Sequence, residues 1–382
     1  MEESTRLLAD LVAIPSVNPM GRPVSGPEYF EGRIGAFLED WFRDAGIPAV
    51  RQHVAPGRDN ILARYEAPGS PARTLLFDVH QDTVPVDGMT IPPFEPHVEG
   101  GRMYGRGSCD VKAGMAAMLL AFRRLYYERP PGSASVILAC TVDEEYTHLG
   151  SSLLAETQKG IDLAVVAEPT KLDVVPWHKG SVRWKIRTRG VACHSSTPGL
   201  GVNAIYRMAR VVDALAEHAD ALARSTPHPR LGPPSLSVGR IDGGQSVNIV
   251  PDSCEIEIDR RLIPGETWDQ AVERARAAVA AKLDPEGFEF EYPWGRMPAL
   301  ETTPGPWLDP LSKAVHEATG RAPELVGVPY GTDAGPLGEV GIPAIVFGPG
   351  DIAQAHTRDE WIELDQVASA VEAYYRIALA LG

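Results

Sequence analysis

The amino-acid sequence predicts an α/β fold with a second, smaller unit inserted into the first. Two observations lead to this prediction. Helical and strand patterns alternate over residues 1–178, and from about Lys179 the strands change from continuous apolar runs to the polar–apolar alternation of half-exposed sheets. After Trp294 the earlier pattern returns. We therefore predict one domain from residues 1–178 and 295–382, and an inserted domain from residues 179–294.

Amphipathic helices and buried strands make up the predicted first domain. The strand Thr74–Val79 is a continuous apolar run, which is typical of a sheet covered on both faces. Polar residues follow several of these strands, and ligands bind at such strand ends in open α/β sheets. The predicted helices are 4–13, 28–46, Lys112–Tyr127 and Leu364–Leu381, and the predicted strands are Asn60–Tyr65, Thr74–Val79, Ser135–Val142, Leu163–Ala167 and 342–348.

The inserted segment shows strands with one solvated face, separated by two helices. The strands are SVRWKIRTRG, SLSVGRIDGG, SCEIEIDRRL and FEFEY, and the helices are Ala204–Leu222 and Trp268–Leu283. Their order is βαββαβ, which predicts a ferredoxin-like unit.

Net charge and composition indicate what kind of molecule the protein binds. The formal net charge of −15 argues against a nucleic acid or an anionic membrane surface, and no segment approaches the 18 apolar residues of a membrane span. A small-molecule substrate is expected instead.

The four cysteines are widely spread without a CxxC pair, so neither a thiolate zinc cluster nor a disulfide framework is predicted. The N-terminus does not read as a signal peptide, and a reducing cytoplasm is the expected location.

Two short motifs contain residues of types that bind metals, one after a predicted strand and the other near the start of a predicted helix. In LLFDVHQDTVP, His80 and Asp82 follow a buried strand at i and i+2, so their side chains leave on the same side. A histidine beside a carboxylate suits a metal ligand and the group that orients it. In GRGSCDVKAGM, Asp110 stands near a helix start, where it would cap the helix or bridge two cations. Each motif alone is weak.

The segment VILACTVDEEYTHLG carries a stronger signal. Asp143, Glu144 and Glu145 follow directly on a buried strand, where unpaired carboxylates face a large desolvation penalty. A solvated loop tip is the alternative interpretation. Adjacent glutamates point in different directions, so one can bind metal while the other transfers protons. His148, just beyond, is interpreted as a solvent-facing loop residue.

Two further strand ends complete a candidate metal site. Glu168 follows a strand before Pro169, and His356 follows a strand and a Gly-rich turn. Together the chain supplies two histidines and three acids as candidate ligands: His80, Asp110, Glu145, Glu168 and His356. Mixed histidine and carboxylate sets suit Zn, Co or Mn, and two neighbouring metals suit hydrolysis.

With these motifs in this order, the sequence resembles the M20 family of metallopeptidases and deacylases over essentially the whole chain. The resemblance implies a mixed-sheet, zinc-peptidase-like catalytic domain, with an inserted ferredoxin-like domain that forms a homodimer and acts as a lid. It implies that Asp110 bridges two metals, that His80 and Glu168 complete one site, and that Glu145 and His356 complete the other. It further implies that Asp82 orients His80 and that Glu144 is the general base.

The resemblance also extends to the insert and the late loops. In GVACHSSTPGLGVNAI, His194 matches a histidine that reaches the partner's active site and stabilises the oxyanion. Asn248 matches a polar substrate contact. Arg261 matches the clamp on a substrate carboxylate, with Arg260 as the competing assignment because alternation sends the two to opposite faces. Gly331 and Thr332, in YGTDAG, match a loop at the same carboxylate.

The expected activity is hydrolysis of the amide bond of an N-acyl amino acid, because the tail from Gly341 resembles the acetylornithine deacetylase and succinyl-diaminopimelate desuccinylase branch. A dipeptidase or carboxypeptidase of the same family is the alternative, since one site serves either amide. A non-catalytic ligand-binding protein is a remote alternative, against which Glu144 argues. We expect two divalent metal ions, zinc in the first place, with cobalt or manganese as alternatives.

Overall fold

The computed structural model describes residues 2–69, 73–284 and 287–382. The chain forms two compact units. Unit 1 comprises Met1–Pro176, Glu301–Gly327 and Thr332–Gly382, and unit 2 comprises Trp177–Leu300 and Val328–Gly331. The prediction of an α/β fold with a mixed sheet and a separate antiparallel sheet is confirmed.

The helices of the described residues are α1 (Glu3–Val12), α2 (Gly32–Asp44), α3 (Lys112–Glu128), α4 (Leu149–Thr157), α5 (Ala204–Ala223), α6 (Trp268–Ala280), α7 (Leu308–Thr319), α8 (Ala334–Glu339) and α9 (Leu364–Ala380), with a 3-10 turn at Pro198–Leu200. The strands are β1 (Ala49–Ala55), β2 (Arg58–Tyr65), β3 (Thr74–His80), β4 (His97–Glu99), β5 (Arg102–Tyr104), β6 (Ser135–Thr141), β7 (Leu163–Val166), β8 (Val174–His178), β9 (Gly180–Arg189), β10 (Ser235–Gly243), β11 (Ser253–Leu262), β12 (Phe288–Phe290), β13 (Gly295–Met297), β14 (Leu300–Glu301), β15 (Leu325–Val328), β16 (Ala344–Val346) and β17 (Trp361–Glu363).

A mixed sheet forms the centre of unit 1. Its strand order is β1-β2-β6-β3-β7-β16-β8-β14, with β15 beside β8. The neighbours β6, β3, β7 and β16 are parallel, so their carboxyl ends lie along one edge of the sheet. The apolar side chains of β3 and β6 are fully or almost fully buried, as their continuous apolar sequences predict. This arrangement gathers the polar residues that follow each parallel strand.

A second, small sheet of unit 1 connects the chain's late residues to an early loop. Its order is β17-β5-β4, and Trp361 of β17 pairs with Tyr104 of β5. The pairing lies directly before the Gly-rich segment that leads to Asp110. The last strand of the chain is therefore in contact with the loop that carries a candidate metal ligand.

Unit 2 contains the antiparallel sheet β10-β11-β9-β12, with β13 also beside β9. For a βαββαβ sequence this is the strand order of the ferredoxin-like unit. Alternate residues of β11 are buried, and the side chains packed under the helices include the fully buried Trp184. The strand β10 forms an edge of the sheet, and most of its residues are exposed. Such an edge offers unpaired backbone groups to a partner strand.

In the described parts of the chain, no helix has the length and apolar character needed to cross a membrane. The four cysteines, Cys109, Cys140, Cys193 and Cys254, are free thiols.

Candidate metal centre

The first group of candidate ligands surrounds His80, the last residue of β3. Its Nε2 atom lies 3.1 Å from Oδ1 of Asp110 and 3.8 Å from Oε1 of Glu168. All three side chains are at most 7% exposed. We call His80, Asp110 and Glu168 the first triad.

A second triad shares Asp110 with the first. Nε2 of His356 lies 3.2 Å from Oδ2 of Asp110 and 3.3 Å from Oε2 of Glu145. Asp110 thus directs one oxygen to each histidine. The two histidines differ in exposure, since the His356 side chain is 53% exposed and that of His80 only 1%.

The chemistry of both triads fits divalent metal ions. The possible ligand atoms of each triad lie within 4.8 Å of one another, and each triad combines an imidazole nitrogen with carboxylate oxygens. Such mixed donors suit zinc, cobalt or manganese. In each triad one carboxylate oxygen of Asp110 faces a histidine nitrogen, as two ligands of the same cation would. The residues present therefore fit a paired-metal site.

The electrostatics of the centre indicate excess negative charge. Burial raises the pKa of Glu168 well above the usual range of a glutamate, and the charge of Asp110 adds to the effect. Burial raises the pKa of Glu144 in the same way, with Glu168 as the next cause. Burial alone would lower the pKa of His80, but the hydrogen bond to Asp110 and the charges of the glutamates outweigh it and raise that pKa. Bound cations would relieve this repulsion.

The loop carrying Asp110 is held by Glu360. One carboxylate oxygen of Glu360 accepts hydrogen bonds from the backbone N–H groups of Cys109 at 2.9 Å and Asp110 at 3.0 Å. The other accepts from Gly107 N–H at 3.1 Å and pairs with Arg106 at 2.6 Å. Asp110 precedes Val111, the residue at the N-terminal cap of α3, so its carboxylate is not the helix cap. The Glu360 carboxylate thereby fixes the backbone on which Asp110 stands.

Asp82 contacts more than the histidine it was expected to orient. Nδ1 of His80 lies 2.9 Å from the backbone carbonyl oxygen of Asp82, whereas the nearest carboxylate oxygen is 3.7 Å away. The Asp82 carboxylate instead accepts hydrogen bonds from the backbone N–H groups of Glu144 and Glu145, both at 3.2 Å. Asn18 donates to the same carboxylate at 2.7 Å. Asp82 therefore holds both the His80 ring and the acidic loop.

The three consecutive acids have separate surroundings. Asp143 accepts a hydrogen bond from Arg58 at 2.7 Å, and Arg58 also pairs with the buried Glu31. Glu145 belongs to the second triad, while Glu144 belongs to neither triad that contains Asp110. Asp143 is thus paired with a guanidinium, whereas Glu144 lies beside the candidate ligands.

His148 lies inside the site, so its interpretation as a solvent-facing residue is wrong. Its side chain is 13% exposed, and its Nδ1 atom lies 3.1 Å from Oδ1 of Asp333 and 3.8 Å from Oε1 of Glu144. Its backbone has φ of 57°, in the left-handed region, and its N–H donates to the carbonyl of Asp143 at 2.7 Å. This turn directs the ring back toward the acids.

Two of the candidate residues of unit 2 lie in adjacent segments. His194 is exposed, and its Nδ1 atom is 2.7 Å from Oγ of Ser196. Ser195 N–H donates to the backbone carbonyl of Asn248 at 3.0 Å, and Ser246 donates to the Asn248 side chain at 2.6 Å. Both segments are at the surface of unit 2.

The two competing arginines differ in burial. Arg260 is fully buried and pairs with Glu266 at 2.7 Å, whereas the Arg261 side chain is 30% exposed and pairs with Asp259 on the same strand. Arg261 is therefore the more accessible of the two guanidinium groups. Gly331 belongs to unit 2, where an added Cβ would lie 2.6 Å from Met297, and Thr332 belongs to unit 1 and is buried.

The sequence profile of the peptidase family M20/M25/M40 matches residues 76–380. The chain belongs to this family. The predicted resemblance is thereby confirmed, and the M20 chain is a metal-dependent hydrolase.

Relatives of this M20 chain include both deacylases and peptidases. An acetylornithine deacetylase of Vibrio campbellii is 33% identical over 352 residues, which cover 89% of each chain. Among solved structures, an M20 metallo-carboxypeptidase of Sulfolobus solfataricus has a TM-score of 0.82 at 18% identity, covering 100% of this chain and 99% of that one. A dinuclear metal-binding M20 peptidase of Bacillus subtilis has a TM-score of 0.70 at 16% identity, covering 99% and 96%. These two structures share the fold.

Several residues that support the M20 site were missed by sequence reasoning. They are Asn18, Glu31, Arg58, Asp333 and Glu360. Asp333 lies within YGTDAG beside the predicted residues Gly331 and Thr332, and an acid next to a Gly-rich turn is a signal that the sequence offers. Asn18, Arg58 and Glu360 contact the acids or their backbone across long sequence separations, and Glu31 contacts Arg58, so no local pattern identifies them.

Proposed function

We propose that this chain is a two-metal deacylase that hydrolyses the amide bond of an N-acyl amino acid. One observation carries the proposal: two triads share Asp110, and Glu144 lies beside them as a buried carboxylate outside both. Neither cation of these two triads needs such a carboxylate as a ligand, so Glu144 is free for a role in catalysis. The 33% identity to an acetylornithine deacetylase supports the deacylase reaction.

The proposed ligands are His80, Asp110 and Glu168 for one cation, and Asp110, Glu145 and His356 for the other. When bound, the two cations act as Lewis acids and promote ionisation of a water molecule near neutral pH. Zinc is the proposed metal, with cobalt or manganese as alternatives that the same donors accept.

Proton transfer is the proposed role of Glu144. It accepts the proton of the water that attacks the amide carbonyl, and then delivers it to the departing amine. Asp82 supports this step because its carboxylate holds the backbone N–H groups of Glu144 and Glu145. With the backbone fixed at two consecutive positions, the Glu144 carboxylate keeps its place while its protonation changes.

Substrate binding is assigned to residues of the late loops and of unit 2. Arg261 is proposed to grip the substrate carboxylate through two parallel hydrogen bonds. The buried pairing of Arg260 with Glu266 supports the choice between the two arginines. Asn248, Gly331 and Thr332 are proposed as further contacts to the same end of the substrate.

A homodimer formed through unit 2 is also proposed, with His194 completing the partner's site and stabilising the oxyanion. Exposed apolar side chains on unit 2 support this surface: Val191, Leu200, Ile205, Tyr206, Ile241, Val247 and Ile249. Exposed apolar side chains that form a contiguous patch are typical of a protein–protein interface. The free cysteines agree with a location in the cytoplasm, which we propose as the compartment.

A dipeptidase or carboxypeptidase is the second candidate, favoured by the fold shared with a metallo-carboxypeptidase. The zinc-loaded protein should be assayed for amine release from N-acetylornithine, N-succinyl-diaminopimelate and a set of dipeptides. We expect the highest kcat/KM with an N-acyl amino acid. Preference for a dipeptide would favour the peptidase, and metal binding without turnover of any substrate would favour a non-catalytic protein.

A further inference from the structure

A third group of metal-binding side chains lies beside the paired triads. Glu144, His148 and Asp333 offer ligand atoms that lie within 4.8 Å of one another. Nδ1 of His148 is 3.1 Å from Oδ1 of Asp333 and 3.8 Å from Oε1 of Glu144. We call these residues the third triad.

The third triad repeats the spacing of the first. Nε2 of His80 is likewise 3.1 Å from one carboxylate and 3.8 Å from another. Two ligand atoms bound to a tetrahedral zinc ion at about 2.0–2.1 Å lie about 3.3–3.4 Å from each other. In each triad, one of the two measured distances is slightly shorter than this separation and the other is slightly longer. In its histidine-to-carboxylate distances, the third triad therefore resembles the first.

Asp333 is oriented as metal-binding carboxylates usually are. Ser151 donates a hydrogen bond to its Oδ1 atom at 2.5 Å, and the Thr141 hydroxyl is shared between Asp78 at 2.8 Å and Oδ2 of Asp333 at 3.1 Å. Hydrogen bonds of this kind fix a carboxylate and leave lone pairs for the ion. The Glu144 and His148 side chains remain 10% and 13% exposed, so an ion can reach them from solvent.

We propose that Glu144, His148 and Asp333 bind a third divalent cation, zinc, that inhibits hydrolysis by occupying the general base. A Glu144 carboxylate bound to zinc cannot accept the proton of the attacking water. Excess zinc would thus inhibit the enzyme that two zinc ions activate. The inhibition rests on the role proposed above for Glu144, whereas the binding of the third ion does not.

Metal content and rate should be measured on the full chain loaded with two metals, over a series of buffered free-zinc concentrations. We expect a third equivalent of zinc to bind as the rate falls at least about tenfold. The variant His148→Phe keeps a ring of similar size without nitrogen ligands, and its affinity for the third ion should fall at least about tenfold. Magnesium, which prefers oxygen ligands, should neither add an equivalent nor inhibit.

The matched control is His316→Phe, because His316 is exposed on α7, and it should bind the third zinc like the unaltered protein. Asp333→Asn provides a second variant if His148→Phe does not fold. The proposal is overturned if the unaltered chain binds no third zinc while inhibited, or if the third ion binds equally well to either variant. If the variants lose the third zinc but the unaltered protein hydrolyses no N-acyl amino acid, the result would support the third site and refute the proposed function.

Discussion

The carboxylate of Asp82 accepts the backbone N–H of Glu144 at 3.2 Å, and its other oxygen accepts the N–H of Glu145 at the same distance. One side chain therefore fixes two consecutive acids to which different roles are assigned. Their side chains diverge from a common backbone support, so removal of one function should leave the other in place.

The first prediction concerns Glu144→Gln. The amide keeps the size of the side chain but cannot accept a proton, so kcat should fall about 10²–10⁴-fold while two metals remain bound. Steady-state kinetics and metal analysis test this. Glu156→Gln, at an exposed position of α4, is the control and should keep normal activity. A Glu144→Gln protein with both metals and near-normal kcat would exclude this residue as the base.

A second prediction concerns metal removal. Chelation should abolish hydrolysis and lower Tm, because the acids of both triads lose the cations that offset their repulsion. A ligand at about 100 times its Kd stabilises the native state by about 2.7 kcal/mol, so restored zinc should raise Tm measurably. Calorimetry and activity are followed as zinc, cobalt or manganese is added back. Equal Tm and rate with and without metal would contradict the proposed centre.

The third prediction is that Glu360→Gln weakens metal binding. A glutamine has one acceptor oxygen, whereas the carboxylate uses both of its oxygens to accept four hydrogen bonds, and the substitution leaves Arg106 without its buried charged partner. Loss of such a support should reduce metal affinity about 10–100-fold, measured by competition with a chelator. Glu363→Gln removes a partly exposed partner of Arg102 and is the matched control. Unchanged affinity in Glu360→Gln would show that the Asp110 loop holds its position unaided.

The fourth prediction separates the two arginines. Arg261→Met should raise KM about tenfold to 100-fold with little change in kcat, since it removes hydrogen bonds to a charged substrate group. Arg260→Met should instead lower the free energy of unfolding by about 3 kcal/mol, because Glu266 loses its buried partner. Steady-state kinetics and denaturant unfolding of both variants distinguish the substrate-binding arginine from the structural one. The reverse pattern would transfer the substrate role to Arg260.

The fifth prediction concerns the apolar surface of unit 2. Leu200→Asp and Val247→Asp place charges where side chains are 77% and 101% exposed. We expect sedimentation to show monomers that keep their metals and lose turnover, because His194 no longer reaches a partner. Tyr127→Asp, at an exposed apolar position of unit 1, should leave the dimer intact. Dimers that persist in both unit 2 variants would place the interface elsewhere.

Sequence patterns predicted the structural features that depend on residues close together in the chain. The apolar runs of β3 and β6 identified buried strands, and the polar residues after them identified the edge at which the triads meet. The hydrogen-bond partners that hold the acids were not predictable from local sequence, because Asn18 contacts Asp82 across 64 positions and Arg58 contacts Asp143 across 85. His148 was misinterpreted because its direction depends on a left-handed backbone turn and on the distant Asp333.

The anchoring of the Asp110 loop by Glu360 has a consequence for biosynthesis, because Glu360 follows Asp110 by 250 positions. In addition, β16 lies between β7 and β8, so the central sheet also needs residues near the end of the chain. Domains generally fold as units while the ribosome is still adding residues. For this chain, the candidate metal centre can form only after β16 and Glu360 have been synthesised, and metal loading follows that point.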